Sequence, residues 1–142
     1  MMKKIISFLI IISMFFCSCQ GYTYIEEGFT SKLTDVLQRQ YEVTIPESAE
    51  LITGYYDNAF KDNCLYLVFT IDAEDIETIL SENWEINKYN NEINLFENII
   101  DIKPVARYDY QKEGYTFFQY TKADNNNRIT CCFQGYYPEY IY

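Results

Sequence analysis

The segment Cys64-Leu65-Tyr66-Leu67-Val68-Phe69-Thr70-Ile71 constrains this chain more than any other. Side chains of an extended chain alternate between two faces. Leu65, Leu67, Phe69 and Ile71 therefore share one face, with Cys64, Tyr66, Val68 and Thr70 on the other. Apolar residues on both faces mark a central strand, because water on either side leaves that surface unburied. With 142 residues the chain has room for one domain, and 49% hydrophobic residues supply a packed core for it.

The remaining elements follow from spacing. Phe29, Leu33, Val36 and Leu37 recur at helical intervals with Lys32, Asp35 and Arg39 opposite, which predicts an amphipathic helix from about Glu26 to Gln40. Tyr41 to Ile45 alternates and stops at Pro46, the pattern of a short edge segment. Ala49 to Asp57 reads as a strand joined to the central one by the turn Lys61-Asp62-Asn63. Asp72 opens a helix as its cap, with Asp75 in the reciprocal position and Ile76, Ile79 and Leu80 as its buried stripe. A second helical stretch is expected over Glu92 to Ile100. Ala106 to Tyr110 alternates as a strand, and Tyr115 to Lys122 and Arg128 to Gln134 form a hairpin around the Asn-rich turn 123–127. Short connections imply antiparallel pairing. The expected fold is α+β: two layers, a mainly antiparallel sheet of about five strands, and two or three helices on one face.

The N-terminal residues read as an address. Met1-Met2-Lys3-Lys4 is basic, Ile5 to Phe16 is apolar apart from two serines, and Cys17-Ser18-Cys19-Gln20 follows. These are the three parts of a secretory signal, and the apolar run falls short of the ~20 residues of a spanning helix. Ser18-Cys19 resembles the lipobox of bacterial lipoproteins, although Phe16 stands where that family usually has an aliphatic residue. The resemblance implies cleavage before Cys19, diacylglycerol on its sulfur, and a place on the extracytoplasmic face of a cell membrane. Residues 1–18 are then the signal peptide, 19–25 the lipidated cysteine and a short tether, and 26–142 the domain. The body, through Ile45-Pro46-Glu47-Ser48-Ala49, Leu65 to Ile71 and Asp75-Ile76-Glu77, is similar to small bacterial lipoproteins that bring no known activity.

Charge and missing residue types narrow the chemistry. Without His, imidazole-activated nucleophiles and His-ligated zinc are excluded. Twenty-one acids against 11 bases give a net charge of -10, the wrong sign for nucleic acid. The five glycines form no phosphate loop and no GxSxG. Asp72, Glu74, Asp75 and Glu77 lack the pattern of a calcium loop and fit helix capping and a solvated face. No metal, cofactor or catalytic residue is expected. Outside the cytoplasm a disulfide is permitted. Cys131 and Cys132 point to opposite faces, so Cys64 pairs with Cys131 or with Cys132, or all three are small buried residues without a bridge.

Tyrosine is the compositional outlier, with 15 residues. Tyr couples a large apolar ring to a polar tip, which suits binding surfaces. Tyr55, Tyr56, Tyr108, Tyr110, Tyr136 and Tyr137, with Tyr140 and Tyr142, are the candidates for a binding platform, against the alternative that a half-buried sheet simply favours Tyr. Trp84 reads as a core residue or helix-end plug. Three functions are carried forward. The first is a non-catalytic module binding an envelope or secreted protein. The second is an inhibitor or immunity-type lipoprotein whose acidity steers it to a basic partner. The third, an enzyme on envelope carbohydrate or peptide, has no motif behind it.

Overall fold

In the computed structural model the described residues are 22–57, 64–87, 104–112 and 115–136. In chain order they form β1 (Tyr22–Tyr24), α1 (Ser31–Tyr41), β2 (Glu50–Asp57), β3 (Cys64–Asp72), a 3-10 turn (Ala73–Asp75), α2 (Ile76–Ile79), β4 (Trp84–Ile86), β5 (Pro104–Tyr110), β6 (Phe117–Thr121) and β7 (Arg128–Tyr136). The strands make one antiparallel sheet in the order β1-β2-β3-β7-β6-β5-β4. The fold is α+β, but with seven strands rather than about five. Its two extra members are the three-residue edges β1 and β4. Neither is long enough to show a period, which is why alternation missed them. β1 also falls within the stretch expected to be tether.

β3 lies inside the sheet, third of seven and between β2 and β7, as its two apolar faces require. Leu65 through Phe69 are all buried. On one face Leu65, Leu67, Phe69 and Ile71 join Phe118, Ile129, Cys131 and Phe133 of neighbouring strands beneath Leu33, Val36, Leu37 and Tyr41 of α1. On the other, Tyr66 and Val68 form a smaller cluster with Cys132, packed by Tyr55.

α1 begins later than its apolar spacing suggests. Gly28 adopts φ 72°, and Thr30 caps the helix by accepting from the Leu33 amide at 3.2 Å. Phe29 therefore precedes the helix and packs edge-on against Phe69 at 5.3 Å. The helix ends at Glu42, which turns left-handed at φ 55°, and the expected edge segment after it reduces to an isolated bridge between Val43 and Leu80. Trp84 is the helix-end plug: its indole N–H donates to the Tyr41 carbonyl at 2.8 Å, and its ring lies against Tyr110 and Phe133.

After β3 the expected helix is one 3-10 turn and one α turn. Asp72 does not cap it. Its carboxylate accepts from Arg128 Nη1 at 2.8 Å, while its amide donates to Ser48 Oγ, which in turn donates to Asp75. An arginine directly across the strand pair outcompeted a local amide for that carboxylate. The hairpin turn is as expected, with Asp124 Oδ1 accepting the amides of Asn126 and Arg128 and Asn127 left-handed at φ 58°. The helical stretch expected over 92–100 lies outside the described residues.

Gly135 allows Tyr41 to reach β7. A Cβ there would lie 2.7 Å from Phe133 Cζ and 3.1 Å from Tyr41 Cε1, and both rings are fully buried. Gly135→Ala is expected to lower stability by about 1–3 kcal/mol, the range for overpacking a filled core. Urea denaturation measures it; an unchanged midpoint would show that the rings have room to shift.

Candidate functional site

Strand register brings the chemistry of the face opposite α1 into rows. One row crosses the whole sheet: Tyr24 of β1, Tyr55, Tyr66, Gln134, Phe117, Asp109 and Glu85 of β4. Its β1 end is aromatic and its β4 end acidic. Tyr55 and Tyr66 stack at 5.0 Å with their planes 29° apart, and Tyr24 meets Tyr55 edge-on at 6.2 Å. Exposure rises outward along this series, from buried Tyr66 through half-buried Tyr55 to Tyr24, 66% exposed at the sheet edge. Burial pushes the Tyr66 hydroxyl's pKa well above the ordinary tyrosine value, so it stays neutral.

The next row carries Thr53, Val68, Cys132, Gln119 and Arg107. Arg107 is 4% exposed, lies 3.9 Å from the Phe117 ring centroid, and pairs through Nε with Asp109 at 2.9 Å. Asn87 donates to the other oxygen of Asp109 at 2.5 Å. The pairing and ring contact hold a buried guanidinium that would otherwise be strongly disfavoured.

The platform expected from sequence is divided between the two faces. Tyr55 belongs to the row just described. Tyr56 and Tyr108 pack against the α1-side core and Tyr110 is buried within it. Adjacent tyrosines such as Tyr55 and Tyr56 must point oppositely in a strand, so they never shared a surface. Tyr136 ends β7 across from Cys64, while Tyr137, Tyr140, Tyr142 and Cys19 lie outside the described residues. Sequence reasoning missed Tyr24 and Tyr66 as partners of Tyr55. The signal for Tyr66 was its alternation in β3, opposite the aliphatic face.

On the α1 side of the same sheet edge, between β1 and the start of α1, lies a groove of about 330 Å³. Ile25, Leu33 and Tyr56 give it an apolar lining, and the exposed residues Glu26 and Glu27 border it. Next to this edge Gly54 leaves space that Leu67 and Ile25 occupy. A Cβ at Gly54 would meet Leu67 Cδ2 at 2.8 Å and Ile25 Cδ1 at 3.2 Å.

Among the described residues the strongly perturbed carboxylate is Glu42, a structural brace. It accepts from Lys112 Nζ, from Ser81 Oγ at 2.6 Å, from Asn83 Nδ2 at 2.7 Å and from Tyr110 Oη at 3.2 Å. The Lys112 ammonium, then Ser81 and Asn83, hold its pKa down from the ordinary 4.5 to about 2. Such a group is ionised at neutral pH and donates no proton, so it is unsuited to general acid catalysis. These four partners also account for a glutamate at a left-handed position that glycine would occupy more easily.

The three body cysteines are free thiols. Cys131 lies opposite Phe69 and Cys132 opposite Val68, whereas Cys64 lies opposite Tyr136. Four or five residues along a strand separate the levels by roughly 13–16 Å, too far for a bridge that needs Cα atoms about 4.4–6.8 Å apart. Burial raises both buried thiols above the ordinary range, Cys132 to about 12. Among the described residues no group of three His, Cys, Asp or Glu is placed to hold a metal ion, and no helix is long and apolar enough to cross a membrane.

Because its folded-state pKa is depressed, Glu42 contributes stability that is complete above about pH 4.5 and is lost as pH falls toward 2. Glu42→Gln is therefore expected to lower the melting temperature at pH 7 and to flatten the acid limb across that window. Thermal melts from pH 7 to pH 2 test it; a wild-type pH profile in the variant would remove the brace assignment. For the thiols, native alkylation at pH 8 should modify half-buried Cys64 well before Cys131 and Cys132, read by peptide mass mapping. Equal labelling of all three would contradict their burial.

No protein-family model, no curated protein and no solved structure matches this chain.

Proposed function

We propose that this protein is an extracytoplasmic lipoprotein, held at a cell membrane by diacylglycerol on Cys19, whose body is a non-catalytic module for binding another envelope or secreted protein. Removal of the signal takes Lys3 and Lys4 with it, leaving 11 - 2 = 9 bases against 21 acids and a side-chain charge of 9 - 21 = -12. Anionic lipid repels such a body. Two acyl chains supply the attachment instead, at about 0.8 kcal/mol per buried CH₂. β1 starts three residues after Cys19, so the intervening chain spans at most about 10 Å. The lipid-bearing sulfur and the β1 edge are therefore neighbours, and binding at that edge takes place beside the bilayer.

The observation that carries the binding reading is the Tyr24–Tyr55–Tyr66 series. Its inner ring is buried as a core residue would be, but its outer ring projects at the sheet edge with 66% of its surface in water. An isolated exposed tyrosine is ordinary. One continuous with a stacked aromatic row offers a rigid, amphipathic contact of the kind enriched at interfaces. The perturbed carboxylate is committed to structure, and that supports binding over catalysis.

Two variants test the two halves of the proposal. Cys19→Ser is expected to leave the membrane fraction or remain unprocessed; if that variant were processed and still membrane-bound, the anchor would be overturned. A photocrosslinker at Thr23 in the native envelope should give a discrete adduct that is lost on Tyr24→Ser/Tyr55→Ser. No adduct, or one indifferent to both tyrosines, would overturn the binding surface.

A further inference from the structure

We propose that the partner presents an extended basic segment, which pairs with β1 as an additional strand and places a lysine or arginine side chain in the groove against Glu26 and Glu27. This deepens the binding reading above and rests on it. Three observations converge on the β1 edge.

The first is the backbone. Ile25 N–H donates to the Gly54 carbonyl at 2.9 Å, which makes Ile25 and Gly54 a hydrogen-bonded pair in the antiparallel register that sets Tyr24 opposite Tyr55. Such pairs alternate with non-bonded ones along a ladder. The amide and carbonyl of Tyr24 therefore face away from β2. Among the described residues β1 is the last strand on that side of the sheet. These groups are a template for an incoming extended peptide.

The second is the groove. It opens directly beside β1 and has about 330 Å³ of space. In an added strand, alternate side chains point to the α1 side, where the groove lies. Ile25, Leu33 and Tyr56 provide apolar surface for the methylene stem of a long side chain, while the two glutamates that border the groove stand near its charged end.

The third is charge. Glu26 and Glu27 are exposed, and neither is in an ion pair or hydrogen bond with a described residue. They do not serve the start of α1, because Thr30 holds that position and caps the Leu33 amide. They belong to a chain carrying -10 overall. A basic segment is therefore the complementary occupant. A second copy of this chain would bring the same two carboxylates to the same edge, and repulsion disfavours it.

The test uses full-length mature protein in detergent and an alternating Lys-Thr octapeptide, with its Glu-Thr counterpart as comparison, by fluorescence anisotropy. The Lys-Thr peptide should bind and the Glu-Thr peptide should not. Glu26→Gln/Glu27→Gln should weaken binding by roughly fivefold to tenfold, whereas Glu74→Gln/Glu77→Gln, which removes the same charge from the helical turns after β3, should leave it nearly unchanged. N-methylation of alternate peptide amides should abolish it by removing the ladder donors. Equal weakening by both double variants would reduce the effect to the general field and overturn the groove. Undiminished binding of the N-methylated peptide would overturn strand addition, and a peptide-free dimer in light scattering would make the occupant a second copy. Failure of the Lys-Thr peptide alongside a persistent tyrosine-dependent adduct would reject the basic segment and leave the binding reading standing.

Discussion

The pairing of β3 with β7 is the constraint on which the rest of this structure depends. The two strands run antiparallel from Cys64 opposite Tyr136 to Asp72 opposite Arg128 without a break in register. Because both carry buried side chains on each face, a slip of one residue would exchange the two cores and bring Thr70 and Thr130 under the helix. Irregularity is confined to the outer strands. β2 shifts register at Ile52 and β5 at Val105, and both bulged residues are exposed. The central pair fixes the frame, and the bulges take up twist where an extra residue costs little packing.

That frame divides the side chains between two faces. On the α1 face, Glu42, Trp84 and Tyr110 tie the helix end to β4, β5 and the residues beside them through hydrogen bonds and ring contacts. On the opposite face the same register aligns Tyr24, Tyr55 and Tyr66 toward one edge and Arg107 with Asp109 toward the other. Tyrosine is thus used in two ways within one sheet. Tyr41 and Tyr110 are core residues, Tyr110 donating its hydroxyl to Glu42, whereas Tyr24 leads an aromatic row into solvent.

Much of the fold could be read from local pattern. β3 was recognisable because two apolar faces admit few other placements, and the 123–127 turn because Asn and Asp tolerate left-handed backbone. α1 was recognisable from the spacing of Leu33, Val36 and Leu37, but its start was not, since Phe29 sits at a helical interval while packing from a loop. Asp72 looked like a cap because its competitor, Arg128, is far away in sequence. The candidate site was less legible. Tyr55 was identified, yet its companions Tyr24 and Tyr66 were not, and Tyr56, Tyr108 and Tyr110 belong to the other face. Counting tyrosines ignores the alternation that assigns each ring to a side.

The sequence alone determined the central strand, the α+β class, the net acidity, and the absence of imidazole side chains. These are properties of composition and of near neighbours, where alternation and helical period act over a few residues. Tertiary structure decided the three-residue edges β1 and β4, the bracing of Glu42 by Lys112 and Tyr110, the free thiols at different levels of the sheet, and the groove beside β1. Each depends on which strand lies beside which and in what register. A residue's neighbour across a strand pair can be 56 positions away, as with Asp72 and Arg128, and no local period records it.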